Sequence, residues 1–186
     1  MLVRVVLGRR VKSRKDLMKL TEDDTNYDLT LLLSGPKIPL PELIKAFKEP
    51  VYLVTSKFDD IYISKLSRSL GILLDGTFVD LGNVSLGGIG GIETYQNIAR
   101  LIQLHTTLGK SKAIITSYFP PKGFGDRLRS LNVRVGLPEI TQVIYEVKPS
   151  YFISLGLEDY VGMINTSTAI ILNERKVFTT SLNLTL

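Results

Sequence analysis

Few side chains in this 186-residue sequence are equipped to do chemistry. Cysteine is absent, which removes thiolate nucleophiles, thiolate zinc sites and disulfides together. One histidine, His105, cannot supply a multi-histidine metal site, and its place near the end of an expected helix gives it a helix-end or surface role. No phosphate-binding loop ending in Lys-Ser or Lys-Thr, no zinc pair on a helix and no nucleophile elbow occurs. Gly87-Gly88-Ile89-Gly90-Gly91 lies between a strand and a helix, but it lacks the third glycine of a dinucleotide loop and follows a hairpin. It is expected to be a close-packed backbone turn. The remaining reactive set is Asp59, Ser117 and Glu158, with no base placed to activate the Ser117 hydroxyl. Basic residues are more distinctive: Arg4, Arg9, Arg10, Lys12, Arg14, Lys15 and Lys19 crowd the first twenty positions against Asp16 alone. Such a cluster either attracts phosphates or forms a solvated helix face.

The elements that must position these groups follow from hydrophobic periodicity. Leu2–Leu7 is a short apolar run ended by Gly8, and a basic stretch with Leu17, Met18 and Leu20 at helical spacing follows. The phrase recurs as strand Leu29–Leu33, breaker Ser34-Gly35-Pro36 and helix Pro41–Phe47, with Pro41 at a first-turn position. It recurs again as strand Val51–Val54, loop Thr55–Asp60 and helix Ile61–Leu70, with Ile61, Leu66 and Leu70 expected inward. Continuous apolar strands alternating with helices imply parallel strands covered on both faces, with a site at their carboxyl ends. Thr77–Leu81 and Val84–Leu86, joined by Gly82-Asn83, then read as a hairpin. A helix over about 93–107, strand Ala113–Thr116, helical segments near Phe124–Leu131 and Pro138–Val147, and strand Tyr151–Ser154 follow. Val161–Ile164, Ala169–Leu172 and Val177–Leu186 read as a closing antiparallel meander, with Phe178, Leu182, Leu184 and Leu186 on one face. The expected architecture is a four-layer αββα sandwich, with parallel β/α units followed by an antiparallel half.

Composition agrees with one globular domain spanning residues 1–186. Apolar residues make up 44% and charged residues 22%, and 23 Lys and Arg against 18 Asp and Glu give a net charge of +5. The longest apolar runs fall far short of the roughly 18 residues that a membrane helix needs. The short apolar start ends in arginines without a small-residue cleavage pattern, so a cytoplasmic protein is expected.

The order and wording of the loops resemble the calcineurin-like metallophosphoesterases, in particular the small single-domain type that includes the retromer's phosphoesterase-fold subunit. The resemblance covers nearly the whole chain. Where that family has Asp-x-His-Gly after its first strand, this chain has Gly8-Arg9-Arg10-Val11; its Gly-Asp corresponds to Ser34-Gly35 after Asp28-Leu29-Thr30-Leu31-Leu32-Leu33. Pro50-Val51-Tyr52 leads to Ser56-Lys57-Phe58-Asp59 in place of Gly-Asn-His-Asp, and only the aspartate is kept. Thr116-Ser117-Tyr118-Phe119-Pro120-Pro121 resembles Thr-His-x-Pro-Pro, Leu155-Gly156-Leu157-Glu158 stands at Gly-His-x-His, and Asn165-Thr166-Ser167-Thr168 resembles Asn-Pro-Gly-Ser.

The resemblance implies two divalent ions at one site, held by side chains with free lone pairs. At Gly8, Gly35 and Gly156 there is no side chain; Arg10 and Lys57 are cations without an acceptor; Ser117 is a poor neutral ligand, and Glu158 alone cannot hold a pair of ions. No binuclear centre, no other metal, no cofactor and no catalytic residue is therefore expected. One expectation is a non-catalytic scaffold or regulatory subunit with a protein partner, or with a second copy of the chain docked on the edge of the C-terminal strand. Another is a pocket of Arg9, Arg10, Lys37 and Lys57 that holds a phosphate, a nucleotide or a nucleic-acid backbone. Alternatively, Arg10 or Lys57 pairs with Asp59 or Glu158 and fills the site structurally.

Overall fold

The computed structural model of the protein describes residues 1–22, 25–108 and 112–185; Leu186, expected on the last strand, lies outside them. The chain opens with Leu2–Val6 (β1), a single 3-10 turn at Gly8–Arg10, Arg14–Thr21 (α1), Leu29–Leu33 (β2), Leu40–Ala46 (α2), Val51–Val54 (β3) and Ile61–Ser69 (α3). β1, β2 and β3 pair in parallel, with Val3 opposite Leu29 and Thr30 opposite Val51. All five residues of β2 are buried. Leu29, Leu31 and Leu33 face the other sheet and Leu32 faces the helices, which is why the strand reads as an apolar run broken only by the buried Thr30. Each helix has a local reason to start where it does. The Ser13 hydroxyl accepts from the Asp16 amide, a proline lies in the first turn of α2, and the Asp60 carboxylate accepts from the Tyr62 amide.

The second sheet is built from Phe78–Asp80 (β4), Ser85–Ile89 (β5), Ala113–Ser117 (β6), Tyr151–Gly156 (β9), Tyr160–Ile164 (β10) and Ser167–Asn173 (β11), in spatial order β10-β11-β9-β6-β5-β4. Thr94–Leu108 (α4) and Pro138–Val147 (α5) cover its outer face, where Ile98, Leu101, Ile140, Val143 and Ile144 meet Ile115 and Phe152. Between the sheets, Val3, Val5, Leu31, Leu33, Leu86, Ile114, Ile153 and Leu155 form the shared core. Each of these side chains contributes on the order of 1.5–3 kcal/mol through burial. The result is the expected α/β sandwich, helices outside two facing sheets.

Several expectations are corrected. The second sheet is not an antiparallel half: β11, β9, β6 and β5 are parallel neighbours, and only the edge strands β10 and β4 run antiparallel. The C-terminal segment does not close a meander either. Thr179–Asn183 (β12) crosses to the first sheet and pairs antiparallel with β1, as an edge strand, carrying Leu184 into the inter-sheet core. Strand periodicity says which face is apolar, not which sheet receives it. The segment near Phe124–Leu131 is no helix; Arg127–Leu128 (β7) and Val133–Arg134 (β8) form a small hairpin. Gly123 and Gly125 take positive φ there, and the fully buried Asp126 carboxylate accepts from the Gly123 and Gly136 amides, which fixes a loop. In α3 the inward residues are Ile63, Leu66 and Ser67, while Ile61 and, just past the helix, Leu70 are exposed against expectation, as is Met18 in α1. Gly87 and Gly88 belong to β5 and not to a turn, though the close packing holds: a Cβ on Gly88 would lie 2.4 Å from that of Leu74.

Candidate functional site

Three of the expected site segments meet at the carboxyl ends of β1, β2 and β3. The Ser34 hydroxyl accepts from the Arg9 amide at 2.9 Å, and Gly8 lies so close against Ser34 that a Cβ on it would come within 2.0 Å of the Ser34 carbonyl oxygen. One Asp59 oxygen accepts from the Gly35 amide at 2.8 Å and from the Ser56 amide at 2.7 Å. Asp59 thus ties two loops together and is taken up with backbone. Gly91 packs on the same loop, with a would-be Cβ 2.1 Å from the Lys57 amide nitrogen.

The arginines after β1 reach across the mouth of the site. Arg9 places a terminal nitrogen 2.9 Å from the Glu174 carboxylate and the other 3.5 Å from the Tyr118 hydroxyl. Arg10 donates to the carbonyl oxygens of Glu174 and Arg175. The expected pairings of Arg10 or Lys57 with Asp59 or Glu158 therefore do not form; the acceptors come from the turn between β11 and β12. Burial raises the Tyr118 hydroxyl pKa, the Arg9 charge opposes that shift, and the Glu174 and Asp59 carboxylates add to it. Lys57 holds its ammonium 4.9 Å from the Phe58 ring centre and has no carboxylate partner among the described residues. Lys37 is exposed, and no ion pair engages it among the described residues.

The remaining expected positions diverge. Ser117 is buried, and its hydroxyl accepts from the Phe119 amide. A Cβ on Gly156 would fall 2.5 Å from the Gly125 carbonyl oxygen. Glu158 turns away and pairs with Arg129. Lys57, Phe58, Tyr118, Leu155, Gly156 and Glu174 are among the residues lining a cavity of about 200 Å³ at the mouth.

The residues present do not fit a pair of divalent ions. Gly8 and Gly156 abut backbone oxygens so closely that neither position admits even a methyl group, and Gly35 is closed by Ile63, 2.8 Å from its would-be Cβ. Arg10 is spent on carbonyl groups, Ser117 on an amide, and Glu158 on an arginine. Among the described residues no group of three or more His, Cys, Asp or Glu side chains could hold a metal ion.

Four participants carry no signal in the sequence. Glu174 and Tyr118 lie 165 and 109 residues from Arg9, and no spacing rule joins them to it. Arg129 lies in the segment whose apolar spacing suggests a helix where the chain forms a hairpin. Asp75, in the segment between α3 and β4, is buried and accepts from both the amide and the hydroxyl of Thr55. Thr55 in turn accepts from the amides of Gly91, on its carbonyl oxygen, and Ile92, on its hydroxyl. Desolvation pushes the Asp75 carboxyl up to about 6 against the lowering effect of the Thr55 hydrogen bonds. A Cβ on Gly90 would meet that carboxylate at 2.1 Å, so the glycine run is matched to a buried acid and not to a ligand phosphate. His105, half-buried in the last turn of α4 with its ring centre 6.2 Å from that of Phe78, is remote from the mouth in sequence and contacts.

No family model matches this sequence, and no curated protein sequence matches it. No helix among the described residues is long and apolar enough to cross a membrane. Among solved structures, the fold is similar to TT1561 of Thermus thermophilus, at 17% identity and a TM-score of 0.68, over 91% of this chain and 88% of that one. A second solved structure superposes with a TM-score of 0.69 at 12% identity, over 91% of this chain and 89% of its own. At such identities the likeness establishes a shared α/β sandwich fold.

Proposed function

We propose that this chain is a non-catalytic relative of the metallophosphoesterases that serves as a scaffold or regulatory protein-interaction module. The observation that carries the reading is the use of the mouth by Arg9 and Arg10, whose guanidinium groups are bonded to Glu174 and Arg175 where metal chemistry would need carboxylates and imidazoles. Large apolar side chains stand exposed around that mouth. Phe58 is 70% exposed, and Val135, also exposed, lines the same cavity. The alternative, a phosphate pocket of Arg9, Arg10, Lys37 and Lys57, is weakened because both arginines already have acceptors; among the described residues, Lys57 is the cation at the cavity without a carboxylate.

The test is metal analysis of the purified protein together with a phosphodiesterase assay in added manganese. The expected result is substoichiometric metal and no turnover above buffer. Two bound ions per chain with turnover overturns the reading.

A further inference from the structure

Beside the mouth lies a second and larger concavity of about 650 Å³, walled by the β7–β8 hairpin on one side and by residues 157–159 with Asn173, Arg175 and Lys176 on the other. Four cations line it, Arg127, Arg129, Arg175 and Lys176, against two carboxylates, Glu158 and Asp159. Glu158 engages Arg129 through Nε alone, and Asp159 sits 3.4 Å from the Lys176 ammonium. Arg127 gives one nitrogen to the Asn132 side chain, and the Arg175 guanidinium has no hydrogen-bond or ion-pair partner among the described residues. The groove therefore presents surplus positive charge, and guanidinium forks are suited to carboxylate and phosphate oxygens alike.

The wall is rigid at its base. Asp126, fully buried, accepts from the amides of Gly123 and Gly136 and from Arg134 at 2.9 Å, so the hairpin is anchored before it reaches solvent. The hairpin also carries Leu131, 69% exposed, with Val133 and Val135 beside it. Leu157 lines both the basic groove and the smaller cavity at the mouth, where Val135, Phe58 and Phe119 add apolar surface. Cations are concentrated in the groove, while the cavity at the mouth combines apolar area with Lys57 and with Glu174, which Arg9 already engages.

We propose that this surface binds an acidic segment of a partner protein, its carboxylates on Arg127, Arg129, Arg175 and Lys176 and an apolar side chain in the cavity at Leu157 and Val135. This rests on the interaction-module reading above and names the partner's chemistry. A nucleic-acid strand fits less well, because its evenly spaced phosphates need cations along the whole run, whereas four of the five cations lining the two concavities lie in the groove and Lys57 alone lies at the mouth. A peptide can place acids and an apolar anchor separately.

The test is fluorescence anisotropy on the full chain with three labelled probes: an acidic peptide carrying a Leu-Phe pair at one end, the same peptide with Ser-Ser in its place, and an oligothymidylate of similar charge. The Leu-Phe peptide is expected to bind most tightly. Its affinity should fall by at least about tenfold in the R127E/R175E variant, whose altered side chains are exposed, and severalfold when Ser-Ser replaces Leu-Phe. A melting curve on the variant confirms that it folds. Equal affinity for wild type and variant, equal affinity for the two peptides, tighter binding of the oligothymidylate, or no binding of any probe each overturns the groove assignment. Those outcomes leave the interaction-module reading standing, since that reading fails on a different measurement, manganese-dependent turnover.

Discussion

The Arg9 guanidinium lies 2.9 Å from the Glu174 carboxylate, joining the loop after the first strand to a turn 165 residues later. Both side chains are roughly 30% exposed, at 30% and 28%, so the pair is neither a solvated surface contact nor a buried one. It closes the sandwich across the two sheets, because the 173–176 turn leads from β11 of one sheet to β12 of the other.

A double-mutant cycle measures that closure. R9A and E174A are each expected to cost about 1 kcal/mol, with a coupling of about 0.5–1 kcal/mol, as suits a half-exposed charge pair. Urea midpoints of the wild type, the two single variants and the double variant provide the four corners. Strict additivity would show that the pair is incidental.

Gly8 gives a sharper prediction. A Cβ there would lie 2.0 Å from a backbone carbonyl oxygen, and backbone yields less readily than a side chain. G8A should destabilise the fold by at least about 3 kcal/mol, and G8D more, so restoring an aspartate does not restore a metal site. Gly71 is the control: it has positive φ but nothing within 4 Å, so G71A should cost only about 1 kcal/mol. Equal midpoints for G8A and G71A would contradict the packing argument.

The layered fold was legible because β2 and β3 are apolar on both faces and because prolines and polar caps mark where helices begin. Local pattern carries that information in full. What it did not carry was partner choice at long range. Leu182 and Leu184 announce an apolar face on β12, but nothing in their spacing assigns that face to the first sheet. Phe124, Leu128 and Leu131 fall at helical intervals, yet Gly123, Gly125 and the buried Asp126 impose a loop that only the tertiary hydrogen bonds disclose. In the site, the cations at 9, 10 and 57 were visible by type, while their acceptors were not, because Glu174 and Tyr118 arrive there through topology.

Arg4 illustrates the same limit and can be tested. Counted by charge it belongs to the exposed N-terminal cluster, but its side chain is 6% exposed, 3.5 Å from Glu49, and lies 4.1 Å from the centre of the Tyr27 ring. One terminal nitrogen donates to the Leu20 carbonyl oxygen. Removing one partner of a buried pair leaves the other charge uncompensated, so R4A should cost about 3–5 kcal/mol. Arg14 pairs with Glu42 at 83% exposure, and R14A should cost less than about 1 kcal/mol. The two variants change net charge identically, so thermal melts that shift equally would refute the distinction.

Asp75 makes a pH-dependent contribution whose sign can be worked out. Its carboxyl sits at about 6 in the folded chain against an ordinary value of 3.8, with burial as the leading cause, so the folded state favours the protonated form. Below pH 3.8 both states hold the proton and the group exerts no penalty. As pH rises from there to about 6 the unfolded chain releases its proton first, and stability falls by on the order of 3 kcal/mol before levelling off. D75N keeps the shape and an acceptor for the Thr55 amide but carries no titrating proton. It should therefore be more stable than the wild type at pH 7 and converge on it near pH 4, as urea midpoints at a series of pH values would register. A constant gap between the variant and the wild type at every pH would mean that Asp75 does not titrate in this range.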